Sequence, residues 1–395
     1  MSSSPLGEGR VAKLVREMPR SGIRDFFDII STRHDIISLS IGEPEFETPE
    51  SIRKVAMAAL RAGGQATRYT SNMGLIELRR ALSHYVKKMF NAEYDPEKEI
   101  LITTGVSEAM DLAMRAIVDP GDEVIYHEPA FVSYRPEILF AGGVPVPIVT
   151  KEEDDFRLKP ELVEAAITPK TKALLLNYPN NPTGAMLSRK DFEKLAKICI
   201  KHDLMVITDE IYAELSYGDE YISIASMPGM KERTIFLHGF SKAWAMTGFR
   251  MGYSCAPAAL TEAMMKIHQY VMMSAPTISQ IAAIEALSHA EIDTDEMRKG
   301  YRERRDFMYD SIREMGIPCT KPGGAFYMFP RVGVLGLSSM DFAMRFLNEE
   351  SVAVVPGTAF GPSGEGYVRC AYVASMQNLT LAMMRMKRFV DKLRS

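Results

Sequence analysis

The sequence predicts an α/β protein: a larger domain with a mostly parallel sheet flanked by helices, joined to a smaller α+β domain. Three observations predict it. Short apolar runs alternate with longer helical patterns from about residue 75 to about residue 290. Polar residues able to do chemistry stand just beyond the ends of three of those runs. After about residue 295 the alternation gives way to a long charged helical pattern. Alternating strands and helices build βαβ units, because parallel strands need a crossover between them. A length of 395 residues fits about two domains.

The candidate strands are Glu123–Tyr126, Ala173–Leu176, Met205–Thr208, Thr234–Leu237 and Gly252–Cys255. Amphipathic stretches lie between them. In Arg189–His202, Phe192, Leu195, Ala196 and Ile200 recur at helical spacing on one face. The later part opens with a helix at Asp293–Met315, rich in Arg and Glu. Strand-like pieces follow near Ala325–Phe329 and Val352–Val355, and a last helix at Gln377–Leu393. The large domain is therefore expected over residues 46–294, with residues 295–395 in the small one.

Nearly half the residues, 46%, are hydrophobic, which permits a large core. The formal charge of -4 comes from acids and bases mixed along the chain, so neither a basic nucleic-acid stripe nor a polybasic membrane anchor is expected. No apolar stretch is long enough to span a bilayer, and Met1–Arg10 lacks the apolar centre of a signal peptide. Cys199, Cys255, Cys319 and Cys370 are scattered, with no CxxC pair, which fits reduced thiols in a cytoplasmic protein. The seven histidines show no ligand spacing, so no metal is expected. Clusters at Met264, Met265, Met272 and Met273, and at Met383, Met384 and Met386, read as soft core packing.

The chemistry begins at Lys242. A β-branched and aromatic run from Thr234 leads to Ser241 and Lys242, with Thr247, Gly248 and Arg250 close behind. A lysine just past such a strand can be held out of bulk water, where its neutral amine attacks carbonyls. Arg250 offers a planar, permanent partner for a phosphate. A carbonyl and a phosphate on one ligand suggest pyridoxal phosphate. Asp209 ends the run from Leu204 and can keep a pyridine nitrogen protonated, or simply cap the next helix. Asn177–Gly184 is a turn by composition, with Asn181, Pro182 and Gly184 inside it. Thr103–Ala109 reads as a strand end, a turn and a helix start, where Gly105, Val106 and Ser107 offer free N–H groups to an anion. Ser107 could equally be an ordinary N-cap.

These segments together resemble the class I/II pyridoxal-phosphate aminotransferases of fold type I, over about residues 22 to 390. The branch that looks most similar holds bacterial and archaeal aspartate, aromatic and N-acetyl-diaminopimelate aminotransferases. The resemblance implies pyridoxal 5'-phosphate as cofactor and a homodimer with shared sites. It implies that residues 1–45 join the small domain. It assigns Lys242 and Asp209 to catalysis, and Tyr212 and Asn181 to the cofactor's phenolic oxygen. Gly105, Val106, Ser107, Ser241 and Arg250 would hold the phosphate, with Phe131 stacked on the pyridine. Tyr69 would reach the phosphate from the partner subunit. Arg369, Gly42 and Asn181 would meet the substrate carboxylate.

Two departures stand out. Many members carry a further serine where this chain has Gly239, so Ser241 and Arg250 must do more. Some aspartate-specific members carry an arginine from the partner chain, and Tyr270–Pro276 has none. That leaves room for aromatic or other apolar donors. The expected reaction is ping-pong transamination from an L-amino acid to 2-oxoglutarate. A carbon–sulfur β-lyase on the same scaffold is the main alternative. A ligand-sensing module fused to a DNA-binding domain is a remote one, given the few residues before the resemblance begins.

Overall fold

A computed structural model describes residues 10–19, 35–218, 221–288 and 290–395. The chain runs α1 (Lys13–Glu17), β1 (Ile37–Ser38), α2 (Glu50–Ala62), α3 (Ile76–Phe90), β2 (Ile100–Thr103), α4 (Gly105–Ile117) and β3 (Glu123–Glu128). It continues through α5 (Tyr134–Phe140), β4 (Val144–Val149), α6 (Pro160–Ala166), β5 (Thr171–Asn177), α7 (Arg189–Lys201), β6 (Met205–Asp209), β7 (Thr234–Gly239) and β8 (Gly252–Cys255). Then come α8 (Ala258–Val271), α9 (Thr277–Ser288), α10 (Ala290–Glu314), β9 (Tyr327–Met328), α11 (Ser339–Glu350), β10 (Val352–Ala353), β11 (Val355–Pro356), β12 (Val368–Ala371) and α12 (Met376–Arg394).

The main sheet has seven strands in the order β2-β8-β7-β6-β5-β3-β4. Every pair in it is parallel except those that β8 makes with β7 and β2. All five strands expected from the sequence lie in this sheet. Its central strands are buried on both faces, which is why they read as continuous apolar runs rather than as an alternation. The sequence reading passed over β4, which carries Pro145 and Pro147. Here the prolines do no harm. The N–H groups of Val144 and Thr150 face β3, so the odd-numbered positions between them face away from the ladder at the sheet edge.

α7 begins where Ser188 and Asp191 form a reciprocal capping box. It buries Phe192, Leu195, Ala196 and Cys199 against the sheet. Ile200, assigned to that face from its spacing, is instead 43% exposed, because it sits at the rim of the stripe. The methionine expectation holds for Met264, Met383 and Met386 and fails for Met272, Met273 and Met384, which are exposed. All four cysteines are buried free thiols.

A second core is built from α10, α11, α12 and a three-stranded antiparallel sheet, β11-β12-β9. Phe342, Phe346 and Phe389 pack there with ring centroids 5.4–5.6 Å apart. β1 pairs with β10, so the chain just before residue 45 joins this core. The rest of the expected N-terminal contribution, residues 1–9 and 20–34, lies outside the described residues. Among the described residues no helix is long and apolar enough to cross a membrane.

Gly184 links the two cores. Its carbonyl accepts from the N–H groups of Gly323 and Gly324 at 2.8 and 3.1 Å. Its φ is +71°, and an added Cβ would stand 2.5 Å from Pro322 Cβ and 2.9 Å from the Tyr327 carbonyl oxygen. Gly184→Ala should therefore cost about 2–4 kcal/mol, from left-handed backbone and overpacking together. A denaturation midpoint equal to that of the parent would contradict this account of the joint.

Candidate active site

Parallel sheets gather ligands at the carboxyl ends of their strands. Asn177 and Asp209 end β5 and β6 side by side, and Lys242 follows β7 by three residues. Together they line a cavity of about 240 Å³. The same cavity takes in Asn181, Tyr212, Ser241, Arg250, Phe131 and Arg369. Gly42, Val106 and Ser107 complete the predicted set there, with Gly105 directly behind Val106.

Lys242 donates from Nζ to the carbonyl oxygen of Gly42 at 2.7 Å. The ring centroids of Tyr212 and Phe326 lie 5.9 and 5.8 Å from that nitrogen. Burial pushes the amine down to about 8, helped by the positive charges of Arg369 and Arg250 and opposed by Glu43 and Asp209. The lack of a side chain at Gly42 makes room for Tyr327, since an added Cβ would fall 2.6 Å from the Tyr327 hydroxyl.

Asp209 is buried. Its carboxylate accepts from the Tyr134 hydroxyl at 2.8 Å and from the Ile211 N–H at 3.2 Å. It thus caps the turn that follows and also faces the cavity. Burial raises its pKa, while these two donors, His238 and Lys242 pull the other way. Tyr212 shares a 2.9 Å hydrogen bond with the Tyr327 hydroxyl. The backbone N–H of Asn181 donates to Asn177 Oδ1 at 3.1 Å, and Asn177 Nδ2 donates to the Asp209 carbonyl at 2.8 Å.

Arg369 comes from β12 of the small sheet and is 2% exposed. Its Nη1 donates to Asn181 Oδ1 at 3.0 Å and its Nη2 to the Ser40 carbonyl at 2.6 Å. The guanidinium lies 4.4 Å from the Tyr327 ring centroid and 4.9 Å from that of Phe360. Its Nε is buried with no partner among the described residues.

The other end of the cavity is the start of α4. The first N–H groups of a helix lack intrahelical acceptors and favour anions. Val106 and Ser107 line the cavity there, with Ser241 and Arg250 across from them. Thr104, not Ser107, occupies the N-cap position. Gly105 has φ +76°, and an added Cβ would stand 2.7 Å from Arg250 Nη2. The departure at Gly239 has a steric cause. A Cβ there would meet the Met251 carbonyl oxygen at 2.8 Å and Gly252 Cα at 3.1 Å.

Gly105 stands behind the lining, and Tyr69 is not brought to the cavity at all. It is 79% exposed in a separate hollow with Met272 and Thr277. Sequence reasoning also missed several site residues. Tyr134 lies one helical turn after Phe131, a spacing that could have flagged it. Asn177 opened the turn already singled out. Tyr327 and Ser40 carry no local signal, because only the folded chain sets them beside Arg369. Among the described residues no group of His, Cys, Asp and Glu is arranged to hold a metal.

The residues suit pyridoxal phosphate. An amine held near neutrality, an N–H-rich turn beside an arginine, a buried carboxylate and a buried, partly unpartnered guanidinium match its aldehyde, phosphate, ring nitrogen and amino-acid substrate in turn.

Comparison with known proteins agrees. The family described as "Aminotransferase class I and II" matches residues 34–385. A putative aminotransferase, YugH, of Bacillus subtilis is 48% identical over 96% of this chain and 97% of its own. An aspartate aminotransferase of Pyrococcus abyssi is 46% identical over 93% and 95%. The crystal structure of an aromatic aminotransferase from Pyrococcus horikoshii superposes with a TM-score of 0.89 at 44% identity, covering 93% of this chain and 99% of that one. An amine, a carboxylate and an arginine converging at the strand ends, on a scaffold shared this closely, make the chain a member of the class I and II aminotransferases, enzymes that work with pyridoxal 5'-phosphate.

Proposed function

We propose that the enzyme moves the amino group of an L-amino acid, aromatic or aspartate-like, to 2-oxoglutarate in a ping-pong cycle. The observation that carries this reading is Arg369. It is a buried cation with an unpartnered Nε, and it lines the same cavity as Lys242. A planar guanidinium is suited to a carboxylate, and that carboxylate would be the substrate's. Bound pyridoxal phosphate supplies the carbonyl that the amine attacks and the electron sink that makes the substrate's α-proton acidic. Lys242 Nζ would take that proton from the α-carbon and deliver it to the carbon that was the cofactor's carbonyl, as base and then acid. The Gly42 carbonyl, which holds Nζ in the structure, limits where it can swing. Asp209 offers its carboxylate to the cationic ring nitrogen, steadied by Tyr134 and Ile211. Tyr212 and Asn181 serve the phenolic oxygen. Phe131 supplies a ring face, and Ser241, Arg250 and the Gly105–Ser107 turn hold the phosphate.

The donor range rests on what lines the cavity. Its cations are Lys242, Arg250 and Arg369, and each has a task in this scheme. Among the described residues none is left for a distal carboxylate, which favours aromatic donors over strictly acidic ones. A relative named as a probable N-acetyl-LL-diaminopimelate aminotransferase of Bacillus subtilis, 42% identical, keeps an acylated diamino acid in view.

The working form is proposed to be a cytoplasmic homodimer. Tyr69 and Met272 are exposed in one hollow, and Tyr270, Val271 and Met273, beside Met272 in the chain, are exposed as well, apolar surface that a second copy would cover. Buried free thiols support the compartment. The division into residues 46–294 and a small domain of residues 1–45 and 295–395 is supported by the separation of the seven-stranded sheet from the two small ones, β1-β10 and β11-β12-β9.

Uptake of pyridoxal phosphate by the cofactor-free protein should quicken as the pH rises through about 8, because only the neutral amine attacks. Lys242→Ala should fold yet lose roughly 10,000-fold or more in turnover. A pH-independent uptake would count against the depressed amine. Adding single amino acids without any oxo acid, and following the cofactor's absorbance, should convert the band with aromatic donors and with glutamate. Conversion by acidic donors alone would restore an aspartate enzyme. A band that nothing converts, with pyruvate and ammonia released from cystathionine, would indicate the β-lyase. Sedimentation should show a dimer, and Tyr69→Phe should weaken cofactor binding about 10-fold, the scale of one hydrogen bond to a charged group. A monomer that binds the cofactor normally would refute the shared site.

A further inference from the structure

The turn between β2 and α4 is held from behind by a buried pair that the scheme above does not use. Glu108 lies in the first turns of α4 and folds back on the residue before the helix. Its Oε2 accepts the Thr104 N–H at 2.5 Å. Its Oε1 meets Nδ1 of His268, on α8, at 2.6 Å. The carboxylate side chain is 9% exposed and the imidazole 0%. A carboxylate can only accept, so His268 Nδ1 carries the proton of this bond. The other ring nitrogen, Nε2, is buried with no partner among the described residues. The imidazole is thus fully desolvated for the sake of a single hydrogen bond, which goes to Glu108.

The turn needs such support. Thr104 has φ −79° and ψ 70°, neither helical nor extended, and Gly105 follows at φ +76°. On the far side, Arg250 crowds the position where a Gly105 Cβ would stand. The Thr103 hydroxyl, which donates to the Gly105 carbonyl at 3.0 Å, and the packing of Gly105 and Val106 against Gly252 support the turn from one side. The direction of the next N–H groups, those of Val106 and Ser107, also depends on the place of Thr104. Glu108 fixes it and also occupies the Thr104 N–H, so that donor is taken out of reach of a bound anion.

We propose that Glu108 and His268 are positioning residues for the cofactor phosphate: they set the turn from which Val106 and Ser107 present their N–H groups. The inference rests on reading that turn as the phosphate site. It concerns the aim of the donors, and so it predicts a selective loss. Ligands with a phosphate should suffer, and the same ligand without one should not.

The experiment compares equilibrium binding of pyridoxal phosphate and of pyridoxal to the full-length, cofactor-free protein, read by absorbance. In Glu108→Ala the preference for the phosphorylated ligand should fall about 10- to 100-fold, the scale on which a second layer of hydrogen bonds tunes a bound group. Glu108→Gln should keep most of the preference, because its amide oxygen can still accept from Thr104. His268→Asn should fall between the two, and it decides the matter by the same ratio if Glu108→Ala does not fold. Equal weakening of both ligands, or an unchanged ratio, overturns the proposal. Arg250→Ala separates the two layers of inference. If it lowers the preference while Glu108→Ala does not, the phosphate site stands and the positioning role falls. If Arg250→Ala leaves the ratio unchanged, the phosphate reading fails and the positioning role with it.

Discussion

A cation buried without an anion is the constraint around which this molecule is arranged. Arg369 is 2% exposed, and among the described residues no carboxylate pairs with it. Desolvating a lone charge costs several kcal/mol unless hydrogen bonds and neighbouring dipoles offset it. Here the offsets are the Asn181 amide oxygen, the Ser40 carbonyl and the faces of Tyr327 and Phe360. They come from different parts of the chain, so the guanidinium ties the small sheet to the loop after β5 and to the segment after β1. Tyr327 extends the tie. Its ring lies against Arg369 and its hydroxyl bonds to Tyr212. That hydroxyl also stands where Gly42 leaves space for no side chain.

The same charge governs the amine. Arg369 is the largest electrostatic influence on Lys242 after burial itself, and both lower its pKa. Two like charges in one desolvated space cannot both be kept at modest cost. The guanidinium cannot give up its proton, so the amine is the one that yields. Asp209 and Glu43 act in the opposite direction and are outweighed. The depressed amine at Lys242 and the buried charge at Arg369 are therefore two sides of one electrostatic arrangement.

How much of this the sequence revealed depended on how local each signal was. The central strands were visible because burial on both faces leaves an unbroken apolar run. β4 was hidden by its prolines, whose consequences depend on which edge of the ladder they face. β9, β10 and β11 fall in or beside the strand-like pieces expected near Ala325–Phe329 and Val352–Val355, whereas β1, at two residues, is too short for any periodicity. Lys242, Asp209 and Asn181 were legible because the residues around them in sequence carry the pattern. Tyr134, Tyr327 and Ser40 were not, because their partners lie 75, 115 and 329 positions away along the chain. Tyr69 was named from resemblance, and a single chain gives it nothing to touch in the cavity.

The glycine at position 239, which looked like a lost phosphate hydroxyl, has a different meaning in three dimensions. Gly239 and Gly252 face each other across the β7–β8 ladder. A Cβ on Gly252 would stand 2.5 Å from the Gly105 carbonyl carbon and 2.7 Å from the Val106 nitrogen. A Cβ on Gly239 would also crowd the Val106 side chain, at 3.1 Å. The two glycines thus make a bare platform on which the start of α4 rests directly. A serine at 239 would add one hydroxyl, but it would lift the helix start or push β8 aside. Backbone N–H groups at a helix N-terminus are several, fixed in direction and supported by the helix dipole, whereas a hydroxyl is one donor on a rotor. This chain keeps the closer approach of the backbone, with Arg250 packed so tightly beside it that a Cβ on Gly105 would stand 2.7 Å from its Nη2.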